Sequence, residues 1–149
     1  MTTSTGTVAW ARNRAVTYWA ATVIIAAELA VGGVWDLLRT EYVREIVERQ
    51  LHYPSYFLVI IGVWKVPGAV ALLVPRAPRL KEWAYAGAVF TYTGAAASHV
   101  AVGDGPDALG PSIFAVIALV SWALRPAARR DLAPGRGLPR IARILEPSR

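Results

Sequence analysis

Two charged residues lie deep within apolar stretches that are long enough to cross a membrane. Glu28 falls within the stretch 16–38, and Lys65 falls within the stretch 56–74. A charge at bilayer depth costs roughly 2.5–3.5 kcal/mol on insertion scales, so such residues generally pair with one another or serve a function. Consecutive spans run antiparallel, which brings both residues near mid-depth. We therefore predict that the two side chains meet.

Three roles are open for this pair. It could be a salt bridge that fixes the register of the two helices, a pocket for the polar part of a small molecule, or part of a proton or ion route. Gly32 shares a helical face with Glu28 and would let a partner approach. Pro67 follows Lys65 and has no N–H to donate to the carbonyl of Val63. Backbone groups freed at mid-depth are tolerated mainly where protein or water covers them.

A second pattern lies in the next apolar stretch. Tyr85, Tyr92 and His99 are spaced by seven residues, so they drift only about 20° per step around a helix. Glu82 extends this row towards the inner end, and Asp36 on the first stretch is a predicted partner for His99. Such a row could line a cavity for a quinone-like or aromatic molecule, or relay protons. The alternative is two packed tyrosines and a histidine anchored at the interface.

These patterns define the candidate site residues. We predict catalytic roles for three of them: Glu28 or His99 would act as acid or base, and Lys65 would stabilise negative charge. The residues predicted to contact a substrate are Trp64, Tyr85, Tyr92, Ser98 and Asp36. No metal or haem is expected, because the chain has no cysteine and only two histidines, His52 and His99, in different segments.

The elements that must position these residues are apolar helices. Of the 149 residues, 55% are hydrophobic and only 17% are charged, against about 25% charged in a typical soluble domain. The stretches 16–38, 56–74 and 83–102 reach spanning length. A fourth stretch, 112–124, reaches it only by including 108–111 or 126–128. We predict an all-α, integral membrane four-helix bundle over 16–128, with an N-terminal arm at 1–15 and a basic tail at 129–149.

The connections and faces give further expectations. Segment 40–53 has apolar residues at helical spacing, which predicts a short amphipathic helix on the outer membrane face or a solvated helical linker. Small residues concentrate in the second and third stretches, so these two helices are predicted to be neighbours. Helix faces made of small residues, together with a fourth stretch that is shorter than a full span, also allow the chain to form homo-oligomers.

Basic residues are distributed unevenly between the two sides of the predicted bundle. Twelve lysines and arginines flank one side and three flank the other. By the positive-inside rule both termini are predicted to be cytoplasmic. Topology and attraction to anionic lipid account for the net charge of +6, so we predict the bilayer as a partner and expect no nucleic-acid partner.

The segment 62–105, GVWKVPGAVALLVPRAPRLKEWAYAGAVFTYTGAAASHVAVGDG, strongly resembles the DoxX-like family of small bacterial membrane proteins. SWALRP at 121–126 and LHYPSYFLVIIG at 51–62 extend the resemblance over about residues 15–126. The positions that match include the following: Lys65, Pro75, Lys81, Glu82, Trp83, Tyr85, Gly94, Ser98, His99 and Asp104. The resemblance implies a four-helix bundle in the bacterial inner membrane.

For function, the resemblance implies a quinone-proximal or accessory subunit of a membrane redox complex, with a bound quinone or a partner's cofactor supplying the redox chemistry. The residues themselves also allow a small membrane isomerase, cyclase or hydrolase acting on a lipophilic substrate through Glu28, Lys65 and His99. A scaffold or a transporter is a third alternative. The residues alone are compatible with an enzyme and with a protein that has no catalytic activity.

Overall fold

The computed structural model describes residues 4–126, and within that range the chain is helical without any strand. The helices are α1 (Ser4–Leu38), α2 (Glu41–Arg44, continued by a π-helical stretch, Glu45–Gln50), α3 (Tyr56–Leu73), α4 (Pro78–Ala101) and α5 (Leu109–Leu124), which a 3₁₀ turn at Pro106–Ala108 precedes. The all-α prediction is confirmed. The arm predicted at 1–15 is already helical from Ser4, and the tail at 129–149 lies outside the described residues.

The four long helices form an up-down-up-down bundle in which α1 packs most extensively against α3. Two glycines make this approach close. A Cβ on Gly33 would lie 2.8 Å from Cβ of Lys65, and a Cβ on Gly62 would lie 2.8 Å from the carbonyl oxygen of Gly33. The closest backbone approach therefore joins α1 to α3, because these are the positions at which no side chain fits.

The predicted packing of α3 against α4 is also found. The glycines of α4 do not explain it, however. A Cβ added to Gly87 or Gly94 would meet nothing within 4 Å. Both glycines instead border hollows beside the helix. Glycine thus marks close contact at positions 33 and 62 and open space at positions 87 and 94.

Three stretches of the described residues are long and apolar enough to cross a membrane: Ala9–Leu38, Tyr56–Leu73 and Pro106–Leu124. The chain is therefore an all-α membrane bundle. The last stretch reaches 19 residues because it includes the turn before α5. Of the two predicted extensions of 112–124, it therefore uses the one on the N-terminal side, at 108–111, and not the one at 126–128. Helix α4 has 24 residues, about 36 Å, but its tyrosines, threonines and histidine make it less apolar than the others.

The segment after α1 begins with a sharp turn at the C-terminus of α1, and ion pairs stabilise the segment. Arg39 has φ 49°, and the amide of Thr40 donates to the carbonyl of Trp35 at 3.1 Å, which turns the chain into α2. Arg39 pairs with Glu48 at 3.1 Å, and Arg49 pairs with Glu41 at 2.6 Å. Partial desolvation raises the pKa of Glu48, but Arg39 and Arg44 outweigh it and hold the pKa below its ordinary value.

The apolar side of this segment faces the bundle. Four of its residues line a cavity inside the bundle: Tyr42, Ile46, Val47 and Leu51. The predicted amphipathic helix is thus present, with part of it in π-helical form. Its apolar face covers the cavity, which is a contact that the sequence pattern alone did not indicate.

Candidate functional site

Lys65 joins two carboxylates of α1. Its Nζ lies 3.0 Å from Oδ2 of Asp36 and 3.7 Å from Oε1 of Glu28. The second oxygen of Glu28 accepts a hydrogen bond from the hydroxyl of Tyr92 on α4. The predicted meeting of Glu28 and Lys65 is therefore observed, and it forms part of a four-residue cluster.

The shape of α1 allows this cluster. Glu28, Gly32 and Asp36 are spaced by four residues, so they lie on one face of the helix. The space that a Cβ of Gly32 would take is 3.3 Å from Nζ of Lys65 and 2.9 Å from Oε1 of Glu28. The glycine leaves room for the ammonium to lie between the two acids. The prediction that Gly32 admits the partner of Glu28 matches this geometry.

The predicted contact between Asp36 and His99 is wrong. Asp36 is buried and faces Lys65, whereas Nδ1 of His99 lies 3.4 Å from Oδ2 of Asp104. The C-terminus of α4 explains the His99 contact. Gly103 has φ 83°, a left-handed conformation that glycine adopts readily, and the amide of Asp104 then donates to the carbonyl of His99 at 2.9 Å.

A cavity of about 940 Å³ contains these groups, and it opens partly towards the outside of the bundle. Its polar lining includes the following residues: Glu28, Asp36, Lys65, Tyr92, Ser98, His99 and Asp107. Apart from Thr91, the remaining wall is apolar or aromatic and comes from α3, α4, α5 and the segments that precede α3 and α5. Pockets for small molecules commonly measure about 300–1,000 Å³ and combine an apolar wall with a few polar groups. The cavity has this character.

Ser98 lines the cavity near the loop before α3 and is hydrogen-bonded. Its hydroxyl donates to the carbonyl of Gly94 at 2.8 Å and lies 2.8 Å from the hydroxyl of Tyr53. Tyr53 stacks on Phe57 with ring centroids 4.3 Å apart. Since Ser98 has already donated its proton, Tyr53 is the donor between the two hydroxyls. The loop before α3 is thereby fixed to α4 beside the cavity.

Tyr85 and Trp64 lie apart from this cavity. Tyr85 is buried deeper in the bundle, where its hydroxyl lies 2.7 Å from that of Ser121. Ser121 in turn lies 2.7 Å from Thr22, which donates to the carbonyl of Tyr18. Trp64 is 74% exposed and lines a separate groove between α3 and α4. Tyr85, Tyr92 and His99 are all buried, but only Tyr92 and His99 of this row line the cavity.

The chain of hydroxyls fixes the direction of each hydrogen bond. Thr22 donates its proton to Tyr18, so Ser121 must donate to Thr22 and Tyr85 must donate to Ser121. Above this chain, the guanidinium of Arg125 lies 5.1 Å from the centre of the Tyr85 ring and pairs with Glu82 at 2.5 Å. Tyr85 is thus held by Arg125 against its ring and by Ser121 at its hydroxyl.

Two residues of the site were not predicted from the sequence, Asp107 and the aromatic residue Phe114. Asp107, in the turn before α5, lies with His99 and Asp104 so that one ligand atom of each falls within 4.8 Å of the others. Imidazole and carboxylate ligands suit a divalent cation such as Zn²⁺ or Mn²⁺. Phe114 stacks on Tyr92 with centroids 5.5 Å apart. The spacing of His99, Asp104 and Asp107 in the sequence could have suggested that Asp107 lies near His99. The contact of Phe114 with Tyr92 depends on the rotation of α5 about its own axis, which the sequence does not indicate.

Fold and site together define an all-α membrane bundle with charged residues around an internal cavity. Residues 20–121 match the sequence model of the DoxX-like family, which is more than half of the chain. The chain therefore belongs to the DoxX-like family, as the resemblance implied. Neither the curated proteins nor the solved structures include a significant match to it.

Proposed function

We propose that this DoxX-like protein binds a lipophilic small molecule with a carbonyl-bearing ring, of the quinone type, and serves as a quinone-proximal component of a membrane redox complex. The observation that carries the proposal is that Glu28, Lys65, Tyr92 and His99 line one cavity. A cavity that only separated packed helices would not need carboxylate, amine, phenol and imidazole side chains from three of them.

The chemistry of the lining suits a quinone ring. The ammonium of Lys65 and the hydroxyl of Tyr92 are donors that can turn to carbonyl oxygens, and the carboxylates of Glu28 and Asp36 can accept from the hydroxyls of the reduced form. Phe114 and Tyr92 offer ring faces for stacking. Electrons would come from a partner, because the chain has no cysteine and so no thiol couple of its own.

Purification in mild detergent, followed by mass spectrometry of the retained lipids, tests this proposal. We expect wild-type protein to retain a quinone in near-stoichiometric amount. Gly94→Phe should lose it, because Gly94 lines the cavity and its missing Cβ faces open space, so a phenyl ring fills the cavity without a clash. Ala97→Phe is the matched control, since Ala97 is exposed and lines neither hollow.

A second candidate function is acid–base catalysis on a lipophilic substrate. It is favoured by one observation, that Glu28, Lys65 and His99 open into the same cavity and can act on one bound molecule. Here Glu28 or His99 would move the proton and Lys65 would stabilise developing negative charge. Metabolite profiles of a host producing Glu28→Gln protein would change if this function is correct and stay unchanged if the protein only binds its ligand.

A further inference from the structure

A second hollow lies between α3 and α4, with a volume of about 460 Å³. We call it the groove. Apart from Lys65 and Thr91 its lining is apolar, and it includes two tryptophans, Trp64 and Trp83, which are 74% and 77% exposed. In a membrane these exposed rings would face lipid chains. The groove therefore opens sideways into the bilayer.

The groove and the polar cavity share part of their walls. Four residues line both: Ile61, Lys65, Phe90 and Thr91. A single layer of side chains therefore divides the two hollows, and the phenyl ring of Phe90 is 74% exposed. Lys65 borders the groove, while its ammonium lies against the two carboxylates that line only the cavity. Of the four shared residues, Lys65 is the one that carries a charge, so the polar cavity and the apolar groove adjoin at its side chain.

We propose that the groove holds the apolar tail of the ligand whose polar ring lies in the cavity, and that the ligand enters from the bilayer between α3 and α4. The inference rests on the proposed function and specifies its ligand class as a single-chain amphiphile with a polar ring and a long alkyl or isoprenoid tail. The tail passes Phe90 and Ile61, while the ring reaches Lys65.

The distribution of polarity supports this division. The carboxylates and the imidazole line the cavity alone, so a polar ring finds hydrogen-bond partners there and not in the groove. A tail in the groove exchanges lipid chains for tryptophan, proline and leucine side chains, at little cost in free energy because both surroundings are apolar. At the outer end, by contrast, the apolar residues after α1 cover the cavity, so the groove offers the more direct route from lipid.

Two glycines on α4, seven residues apart, allow a matched test. Gly87 lines only the groove and Gly94 lines only the cavity, and a Cβ on either meets nothing within 4 Å. Phenylalanine at each position would therefore fill one hollow and leave the helix packing unchanged. Circular dichroism and thermal unfolding of both variants in nanodiscs would check that each one folds.

The experiment measures dissociation constants of full-length protein in nanodiscs for two probes, tailless ubiquinone (ubiquinone-0) and its decyl derivative. We expect Gly87→Phe to weaken binding of the decyl probe at least about tenfold and to leave the tailless probe unchanged, because the phenyl ring and the tail compete for one space. Gly94→Phe should weaken both probes.

The outcomes separate the two proposals. If Gly87→Phe leaves binding of the decyl probe unchanged while wild type binds both probes, the tail does not use the groove and only this inference is overturned. The same holds if Gly87→Phe weakens both probes equally. If wild type binds neither probe, the proposed quinone-type function is refuted, and the inference fails with it.

Discussion

Lys65 faces two carboxylates with one ammonium, and this imbalance determines what its removal should do. Lys65→Met leaves Glu28 and Asp36 facing each other without a cation, in a place where their side chains are only 23% and 6% exposed. Breaking a buried pair by removing one partner costs about 3–5 kcal/mol, because a buried charge is left uncompensated. We expect a loss on the order of 3 kcal/mol in thermal unfolding measured in detergent.

The triple variant Lys65→Met, Glu28→Gln, Asp36→Asn is the control for this prediction. Since it carries no charge in the cluster, most of the lost stability should return, while ligand binding should not. If Lys65→Met alone unfolds at the wild-type temperature, the three groups do not interact strongly and the cluster is not an ion-paired one.

The two buried tyrosines of α4 should behave differently when each loses its hydroxyl. Tyr85 donates to Ser121 within a closed chain of hydroxyls, so Tyr85→Phe should cost about 1 kcal/mol of stability and leave quinone binding unchanged. Tyr92 donates to Glu28 inside the cavity, so Tyr92→Phe should weaken binding by about tenfold. Unfolding and binding measurements on both variants check this. Equal effects on binding would contradict the separation of Tyr85 from the cavity.

The sequence predicts some of these contacts and not others for a physical reason. Depth along an apolar helix can be counted, so the meeting of Glu28 with Lys65 follows from antiparallel spans. The rotation of one helix about its own axis cannot be counted in the same way. The sequence therefore assigned Asp36 to His99 rather than to Lys65, and gave no sign that Ser121 of α5 would take the hydroxyl of Tyr85.

At the scale of the helices, close packing depends on a few glycines of α1 and α3. A methyl group on Gly33 would lie 2.8 Å from Cβ of Lys65, and one on Gly62 would lie 2.8 Å from a backbone oxygen. Neither neighbour is the flexible end of a side chain, so the helices must separate. Gly33→Ala and Gly62→Ala should each cost about 1–3 kcal/mol in thermal unfolding.

Gly87→Ala is the matched control, since its added methyl group meets nothing within 4 Å. Alanine is also the better helix former, so this variant should be as stable as wild type or more stable by up to about 1 kcal/mol. Destabilisation by Gly87→Ala equal to that of Gly33→Ala would show that the loss comes from glycine replacement in general rather than from the approach of α1 to α3.

At the scale of the whole molecule, the question is whether α4 crosses the membrane although its composition is the least apolar of the four long helices. Its polar residues face inward: Tyr85, Tyr92 and His99 are all buried, while Trp83, Phe90 and Val100 are exposed. The exposed Thr93 donates to the carbonyl of Val89 at 2.7 Å and so leaves no unpaired donor. The surface that meets lipid is therefore more apolar than the average over the helix, and we propose that α4 spans.

The absence of cysteine makes this topology directly measurable, because a single introduced thiol is the only one in the chain. Arg79 is exposed in the first turn of α4, Gly105 is exposed after the end of α4, and Gln50 is exposed before α3. With both termini cytoplasmic, a membrane-impermeant maleimide should label Gly105→Cys and Gln50→Cys in intact cells and Arg79→Cys only after permeabilisation. Labelling of positions 79 and 105 from the same side would show that α4 does not cross. The reverse pattern would keep four spans and invert the orientation that the twelve flanking basic residues predict.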